Sequence, residues 1–389
     1  MLTNSILFTG SFRFPDKDAA AFRVNSIADL FRPHFNSVIF AGWEKRPYGK
    51  EYYIHNNDLC FPQDELRASH SSIAIRLIAF LFRGLKTTRW ILGNRKYFNM
   101  IVLYNPPFIF TISVVLICRI YSIKLVIDST EWYQGAHLPG GKYGIASVEN
   151  WLRMEIAYKL VKNIICISTY LQYQFRNLNT IVLPPLLPGK PDLVFSRPPI
   201  SSQINLVYAG EPGLKDSLKD LVASLQDVRN RLGVDIKLHL VGLNKDDKMG
   251  LSLTSLIPEH NPDDMLIFYG RISRIEVFRL YKMCHFSILL RDRMRYALAG
   301  FPTKAMESLF CGCPIISNAI GDLRLVLSHA TNGFVIDREN LSYHLYSCLA
   351  RVIQEESIDK MSQAAVDSSL IHFSPSRYRK SFYDFYNQC

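Results

Sequence analysis

One segment of this chain combines a loop, a helix start and two charged side chains one turn apart. It runs from Gly300 through Thr303 to Glu307, with the sequence Gly-Phe-Pro-Thr-Lys-Ala-Met-Glu. Pro302 favours the first turn of a helix, where unpaired backbone amides and the helix dipole attract phosphate. Lys304 lies in that turn against the usual preference for acidic residues, which indicates an anionic ligand. The Glu307 carboxylate can accept hydrogen bonds from paired hydroxyls, so the segment predicts a site for a ribose joined to phosphates.

The alternative for Lys304 and Glu307 is an ordinary surface ion pair. Residues three apart on a helix are neighbours, and such a pair stabilises a helix by only about a few tenths of a kcal/mol. An ion pair does not need the glycine and proline loop that precedes these residues. We therefore favour the ligand-binding interpretation.

Short apolar strands alternate with helices along the chain, which predicts parallel sheets in an α/β fold. In the first half, predicted strands cover residues 5–10, 37–41, 100–104, 124–128 and 163–168, with a helix at 19–31. In the second half, predicted strands cover 204–209, 237–241, 266–269, 286–290 and 314–317, with helices at 218–232, 275–284 and 304–310. The proline cluster at 184–191 suits neither a helix nor a central strand, so we place a domain boundary near residues 185–203.

The size and composition of the chain suit two globular domains. It has 389 residues, 48% of them apolar, enough for two buried cores. The first ten residues lack the basic and apolar segments of a secretory signal, so we expect a cytoplasmic protein. The longest uncharged apolar run, residues 108–118, is shorter than the ~20 residues of a spanning helix and predicts a buried helix.

The cysteines and the net charge narrow the classes of function. The 8 cysteines form no C-x-x-C pair, so neither a zinc site nor a disulfide framework is predicted. The net charge of +11 favours an anionic partner: a membrane, nucleic acid or a phosphorylated ligand. The basic residues are dispersed and no groove-reading motif occurs, so nucleic-acid binding is disfavoured.

Residues 295–318, with their Phe-Pro-Thr-Lys loop, resemble the donor-site signature of retaining GT-B glycosyltransferases of family 4, especially bacterial polysaccharide enzymes. Residues 205–220 resemble the glycine loop of that family, and Lys215 matches the lysine that contacts the donor diphosphate. Residues 164–171, Leu183-Pro-Pro and Asn332-Gly333-Phe-Val resemble further family segments, so the resemblance covers nearly the whole chain. Without it, Gly210 and Gly213 would indicate only an ordinary strand-to-helix turn.

Two positions depart from the family pattern. The pattern has two glutamates, and here Ala299 stands at the first position and Glu307 at the second. The contact to the donor sugar that the first glutamate makes is therefore missing or made elsewhere. Glu211 follows Gly210 where the family often has an arginine, and Arg291 is our candidate for the missing positive charge.

The resemblance implies a GT-B fold: two Rossmann-like domains with a cleft between them and a C-terminal helix packing back. Residues 1–190 would form the acceptor-side domain, 203–370 the nucleotide-sugar domain, and 371–389 the terminal helix on the N-terminal domain. It further implies sugar transfer with retention, from a nucleotide diphosphate sugar to a saccharide acceptor that we expect to be lipid-linked, in surface-polysaccharide assembly. The donor is a substrate, and neither a cofactor nor a metal is expected. Positioning of the donor and stabilisation of the leaving diphosphate are assigned to Lys215, Arg291, Lys304 and nearby amides.

Three residues of the first domain are further candidates. Gly10, between the first strand and helix, resembles the loop that faces the diphosphate in the family, although an ordinary turn is equally compatible. Asp128 and Glu131 follow a predicted strand, where open α/β sheets bind ligands, and either carboxylate could orient the acceptor hydroxyl. Capping of the following segment is an equally good explanation of the two carboxylates.

Residues 73–96 carry basic residues, among them Arg76, Arg83, Lys86 and Arg89, between large apolar side chains. Such a basic amphipathic helix can lie on an anionic membrane surface, which would suit a lipid-linked acceptor at the inner face of the cell membrane. The alternative is a helix that packs on the core with a solvated basic face.

Two other functions stay open at this level. A nucleotide-sugar-binding protein without turnover is compatible with Ala299. A non-transferase GT-B enzyme such as an epimerase would need acid–base residues that the sequence does not indicate.

Overall fold

The computed structural model describes two separate α/β units. The described residues are 4–15, 17–46, 50–65, 72–189, 191, 197–210, 217–257 and 264–389. Unit 1 comprises Met1–Leu186 together with Pro375–Cys389, and unit 2 comprises Leu187–Ser374. Each unit is built on its own largely parallel sheet, as the alternation of strands and helices predicts.

The sheet of unit 1 is eight-stranded over the described residues. Its strands are β1 (Ser5–Gly10), β2 (Ser37–Gly42), β3 (Tyr53–His55), β4 (Asp58–Cys60), β5 (Phe98–Tyr104), β6 (Lys124–Ser129), β7 (Asn163–Cys166) and β8 (Asn179–Val182). The order is β3-β4-β2-β1-β5-β6-β7-β8, and the pairings are parallel except between β3 and β4. The strand order reverses at β1 and β5, so their carboxyl ends form the switch point where such sheets bind ligands.

Helices cover the faces of this sheet. They are α1 (Ala19–Phe31), α2 (Ile73–Leu81), α3 (Leu85–Asn94), α4 (Phe108–Ile120), α5 (Ile145–Leu152) and α6 (Thr169–Gln174). Helix α1 begins where the Asp18 side chain accepts a hydrogen bond from the amide of Ala21, as an N-cap aspartate does. It buries Val24 and Ile27, and its Phe31 ring meets Phe8 of β1 edge-on at 5.8 Å.

The single helix predicted over residues 73–96 is wrong, because Gly84 divides it into α2 and α3. Gly84 has φ +95°, and a Cβ there would lie 2.6 Å from the ring of Phe110. Only glycine adopts this conformation and approach without strain. The Glu65 carboxylate holds the start of α3 by accepting hydrogen bonds from the amides of Gly84 and Thr87.

The sheet of unit 2 has six parallel strands within its described residues. They are β9 (Gln203–Ala209), β10 (Asp235–Val241), β11 (Leu266–Gly270), β12 (Phe286–Leu289), β13 (Ile315–Ser317) and β14 (Gly333–Val335), in the order β11-β10-β9-β12-β13-β14. The helices are α7 (Leu218–Leu232), α8 (Lys248–Thr254), α9 (Arg274–Met283), α10 (Arg295–Ala299), α11 (Thr303–Phe310), α12 (Leu341–Glu355) and α13 (Ile358–Phe373). Here the order reverses between β9 and β12, which defines the switch point of unit 2.

The last helix, α14 (Pro375–Asn387), belongs to unit 1. It lies against α1 and β8, and the ring of Phe382 meets Phe31 edge-on at 4.7 Å. The helical C-terminus expected for the fold is therefore present, although α14 begins at Pro375 and residues 371–373 still belong to α13.

The apolar run at 108–118 forms α4, with Phe110 and Val114 fully buried and Ile120 exposed. Among the described residues, no helix is both long and apolar enough to cross a membrane. All eight cysteines are free thiols, and seven of them are buried.

Candidate functional site

The switch point of unit 2 brings three strand ends together. Gly210 follows β9, Arg291 follows β12, and Asn318 follows β13. The Asn318 side chain accepts a hydrogen bond from the amide of Arg291 at 3.0 Å and donates one to its carbonyl at 2.7 Å. These two bonds fix the backbone of Arg291, a buried residue, beside the carboxyl edge of the sheet.

Lys304 reaches this edge from α11. Its Nζ donates a hydrogen bond to the Tyr208 hydroxyl at 3.0 Å and lies 4.1 Å from the centre of that ring. Gly210 has φ +123°, and a Cβ on it would lie 2.9 Å from Nζ of Lys304. The lysine cation therefore lies directly beside the backbone of Gly210, in space that a side chain would occupy.

Helix α11 points its start toward this region through a short turn. The helix begins at Thr303, one residue earlier than predicted, and Pro302 precedes it. Gly300 links α10 to this turn in an extended conformation. Ala299, at the position where the family pattern has a glutamate, is completely buried at the end of α10.

Glu307 lies one turn along α11 and pairs with an arginine from another helix. Its Oε1 accepts a hydrogen bond from Nε of Arg274, the first residue of α9, at 2.9 Å. Among the described residues this is the only ion pair of Glu307, so the surface pair with Lys304 that we considered as the alternative is absent. Burial raises the pKa of the Glu307 carboxyl, and the positive charges of Arg274 and Lys304 oppose that rise. In the described part of the chain, Oε2 accepts no hydrogen bond.

Sequence reasoning missed Arg274, Tyr208 and Asn318. For Arg274 a local signal exists, because Ser273 and Glu276 form a capping box that fixes the start of α9. A helix start placed there puts Arg274 in the first turn, just after β11. The contacts of Tyr208 and Asn318 have no such signal, since they join residues 96 and 27 positions apart.

Lys215 and Gly213, from the predicted glycine loop, lie outside the described residues. Their contribution to the site stays a prediction. Gly210 and Lys304 lie together at the end of β9, and Arg291 follows the neighbouring strand β12. This arrangement offers a lysine and helix-start amides to phosphate, with a carboxylate one turn away for hydroxyl groups.

In unit 1, Gly10 and Asp128 occupy structural positions. Gly10 has φ +140°, and a Cβ on it would lie 2.4 Å from the carbonyl oxygen of Tyr104 on the neighbouring strand. The Asp128 carboxylate is buried and accepts hydrogen bonds from Nε of Arg23 at 2.9 Å and from its terminal nitrogen at 2.7 Å. Burial raises the pKa of Asp128 and the charge of Arg23 lowers it. The pair joins α1 to β6, and Arg23 also donates to the carbonyl of Leu183.

Glu131 lines a pocket at the switch point of unit 1. The pocket has a volume of about 530 Å³ and lies beyond the ends of β1 and β5, where Ser11, Tyr104 and Asn105 border it. The Glu131 carboxylate accepts a hydrogen bond from the Tyr133 hydroxyl at 2.6 Å. Both the size and the mixture of aromatic and polar groups suit a small polar ligand.

No group of three or more His, Cys, Asp or Glu side chains that could hold a metal ion occurs among the described residues. The Asp18 carboxylate is engaged as the cap of α1 and as the partner of Arg13.

Part of the chain is similar to a known protein family. Residues 194–365 match the family model described as "Glycosyl transferases group 1". No curated protein sequence matches the chain.

Solved structures share the overall fold at low sequence identity. Sucrose-phosphate synthase from Thermosynechococcus elongatus has a TM-score of 0.71 at 13% identity, with 99% of each chain covered. Anabaena Alr3699/HepE in complex with UDP-glucose has a TM-score of 0.68 at 13% identity, with 100% of each chain covered. The lipopolysaccharide outer core galactosyltransferase WaaB has a TM-score of 0.62 at 15% identity, with 99% of each chain covered. The chain therefore has the GT-B fold, and residues 194–365 form a domain that matches the group 1 glycosyl transferases.

Proposed function

We propose that the chain is a glycosyltransferase that moves a sugar from a nucleotide diphosphate sugar to a saccharide acceptor. The observation that carries this proposal is the position of Lys304, whose ammonium group lies beside the backbone of Gly210 at the switch point of unit 2. A cation at a strand end, next to the start of a helix, is a favourable place for a diphosphate. Glu307, one turn further along α11, then accepts hydrogen bonds from the ribose hydroxyls.

The comparisons support this choice of ligand. The domain that contains Lys304 and Glu307 matches a glycosyl transferase family. HepE, which shares the fold, is described in complex with UDP-glucose, and WaaB is described as a galactosyltransferase. A UDP-hexose is therefore the first donor to examine.

The chemistry in this proposal comes from charge and positioning. When the bond from the sugar to the diphosphate breaks, negative charge accumulates on the leaving phosphate oxygens. Lys304 and the amides at the start of α11 stabilise that charge, and Lys215 and Arg291 are the further candidates. The fixed backbone of Arg291 and the paired side chain of Glu307 limit the reorganisation that binding requires.

We further propose that transfer proceeds with retention and serves surface-polysaccharide assembly. Both statements follow from the resemblance of the Phe-Pro-Thr-Lys loop to family 4 enzymes. The anomeric configuration of the product, read by NMR of the isolated saccharide, distinguishes retention from inversion.

A lipid-linked acceptor and contact with an anionic membrane are part of the same proposal. An apolar groove of about 450 Å³ lies beside α2, where Ile73, Leu77 and Phe80 face Ile145. Ile73 is 83% exposed, and Arg76 borders the same groove. An exposed apolar surface with a basic rim favours the inner face of the cell membrane.

A binding protein without turnover is the second candidate function. Ala299 favours it, because this completely buried methyl group cannot replace a glutamate that contacts the donor sugar. An epimerase has no comparable observation in its support.

The experiment is a donor and transfer assay on the full chain. UDP-, GDP- and ADP-sugars are supplied with saccharide acceptors, and released nucleotide and elongated product are both measured. We expect one donor to give product, and Lys304→Met and Glu307→Gln to lose most of that activity. Glu355→Gln is the matched control, because Glu355 forms an exposed pair with Arg351 on α12.

The outcomes separate the candidates. Product formation that survives both site variants would place the donor elsewhere. Nucleotide binding without product from any donor would favour the binding protein.

A further inference from the structure

The pocket of unit 1 contains a buried cation, Arg153, with one hydrogen-bond donor that the described residues leave unused. Arg153 lines this pocket and is only 5% exposed. One terminal nitrogen donates to Oδ1 of Asn150 at 3.0 Å. Its buried Nε has no hydrogen-bond partner among the described residues. An unused donor on a buried charged group is unfavourable unless a ligand satisfies it.

Arg153 also lies on an unusual piece of backbone. The segment Arg153–Ala157 forms a single π-helical turn directly after α5. Such turns are rare and occur frequently at functional sites. The backbone therefore supports the side-chain evidence that Arg153 is placed for a ligand.

Arg83 is a second guanidinium in the same pocket. Its terminal nitrogen is 3.5 Å from Oε1 of Glu149, a long separation for an ion pair. That oxygen already accepts a hydrogen bond from the amide of Phe108 at 2.9 Å. Desolvation by burial lowers the pKa of Arg83. The Arg83 guanidinium is therefore partly desolvated and only weakly paired with Glu149, which favours binding of a ligand anion.

The carboxylates that line the pocket are engaged by the protein itself. Glu65 accepts bonds from Gly84 and Thr87, Glu131 from Tyr133, and Glu149 from Phe108. For Arg153, no carboxylate of the described chain lies within ion-pair distance. The carboxylates therefore leave Nε of Arg153 without a hydrogen-bond partner among the described residues.

We propose that this pocket binds an oxyanion on the saccharide acceptor, a sugar carboxylate or a phosphate ester, through Arg153 and Arg83. The proposal rests on the proposed glycosyltransferase function, because that function makes the bound saccharide an acceptor. The planar fork of an arginine matches two oxygens of either group, which a neutral sugar does not offer. The volume of about 530 Å³ holds a charged monosaccharide unit. Arg153 and Arg83 then determine which acceptors are used.

The test measures binding to the full chain by calorimetry without any donor. Glucuronic acid, glucose 6-phosphate and glucose are the three probes, which separate a carboxylate, a phosphate and a neutral sugar. We expect one of the two charged sugars to bind at least tenfold more tightly than glucose, which corresponds to ~1.4 kcal/mol. Whichever charged sugar binds identifies the source of the oxyanion.

Variants assign the binding to the two arginines. Arg83→Gln and Arg153→Lys should each weaken binding of the charged sugar at least tenfold. Neither variant should change the binding of glucose. Arg83 is partly exposed, so its variant retains the fold even if the Arg153 variant does not. Arg89→Gln on α3 is the matched control, because Arg89 is exposed and does not line the pocket.

Three results would overturn the inference: equal affinity for glucose, no binding of either charged sugar, or binding that Arg83→Gln leaves intact. Binding of UDP, measured on the same samples, tests the proposed glycosyltransferase function independently of the acceptor inference. If UDP binds and neither charged sugar does, the donor site stands and the acceptor inference fails. If a charged sugar binds through the arginines and no nucleotide does, the glycosyltransferase proposal fails instead.

Discussion

Replacing Gly210 by alanine perturbs the centre of the proposed donor site in a defined way. The new Cβ would lie 2.9 Å from Nζ and 3.0 Å from Cε of Lys304. Because these atoms end a flexible side chain, we expect Lys304 to move away rather than the sheet to distort. The lysine then leaves both the Tyr208 hydroxyl and the edge of β9.

The substitution should affect both the stability of the fold and the affinity for the donor. The φ of +123° at Gly210 is unfavourable for alanine, and such strain destabilises a fold by about 1–3 kcal/mol. A hydrogen bond to a charged group contributes about 1.5–3 kcal/mol. If displacement removes the bond from Lys304 to the diphosphate, the donor should bind roughly tenfold to a hundredfold more weakly.

Gly233→Ala supplies the control for backbone strain. Gly233 ends α7 with φ +66°, and a Cβ there would meet nothing within 4 Å. Urea unfolding should show both variants to be less stable than the wild type. Calorimetry with the best nucleotide should show weaker binding only for Gly210→Ala. The role given to Lys304 would be refuted if Gly210→Ala bound the nucleotide as tightly as the wild type. It would also be refuted if both variants lost the same nucleotide affinity.

Three further predictions concern stability. Burial disfavours the charged form of His285 and lowers its pKa to about 4. In the unfolded chain this histidine takes up a proton below the ordinary pKa of 6.5. The free energy of unfolding should therefore fall by roughly 3 kcal/mol between pH 6.5 and 4. Urea unfolding across that range should show a smaller fall in His285→Gln, and an unchanged fall would contradict this assignment. Asp128→Ala leaves Arg23 buried without its partner and should destabilise unit 1 by about 3–5 kcal/mol; a stable variant that loses only transfer activity would instead support an acceptor role. Gly84→Ala places a methyl group against the Phe110 ring and should lower the melting temperature, whereas an unchanged melting temperature would show that the helix break does not depend on glycine.

Regular elements were predictable where the local pattern determines them. Helix α1 has the predicted bounds, because its N-cap aspartate and apolar spacing lie in adjacent sequence. Strand β9 and helix α7 differ from their predicted ranges by at most one residue for the same reason. The three-residue strands β3 and β4 escaped prediction, since they form by pairing with each other and with β2.

The helix break and the contacts of the candidate site depend on more distant parts of the chain. Gly84 breaks the predicted helix because the Phe110 ring approaches it, and no local pattern shows that contact. The pairs Arg274–Glu307 and Arg23–Asp128 join residues 33 and 105 positions apart. Sequence reasoning could name Glu307 and Asp128 as candidates, but only the fold shows which arginine each of them meets.

The most direct test of the donor site is the thermal stability of the full chain with UDP, GDP, ADP and CMP. A ligand at 100 times its dissociation constant stabilises a protein by ~2.7 kcal/mol, which shifts the melting temperature measurably. We predict that one nucleotide diphosphate stabilises the wild type and Glu355→Ala equally, and Glu307→Ala far less. If none of the nucleotides stabilises the wild type, or if Glu307→Ala responds fully, unit 2 does not bind the donor at Lys304 and Glu307.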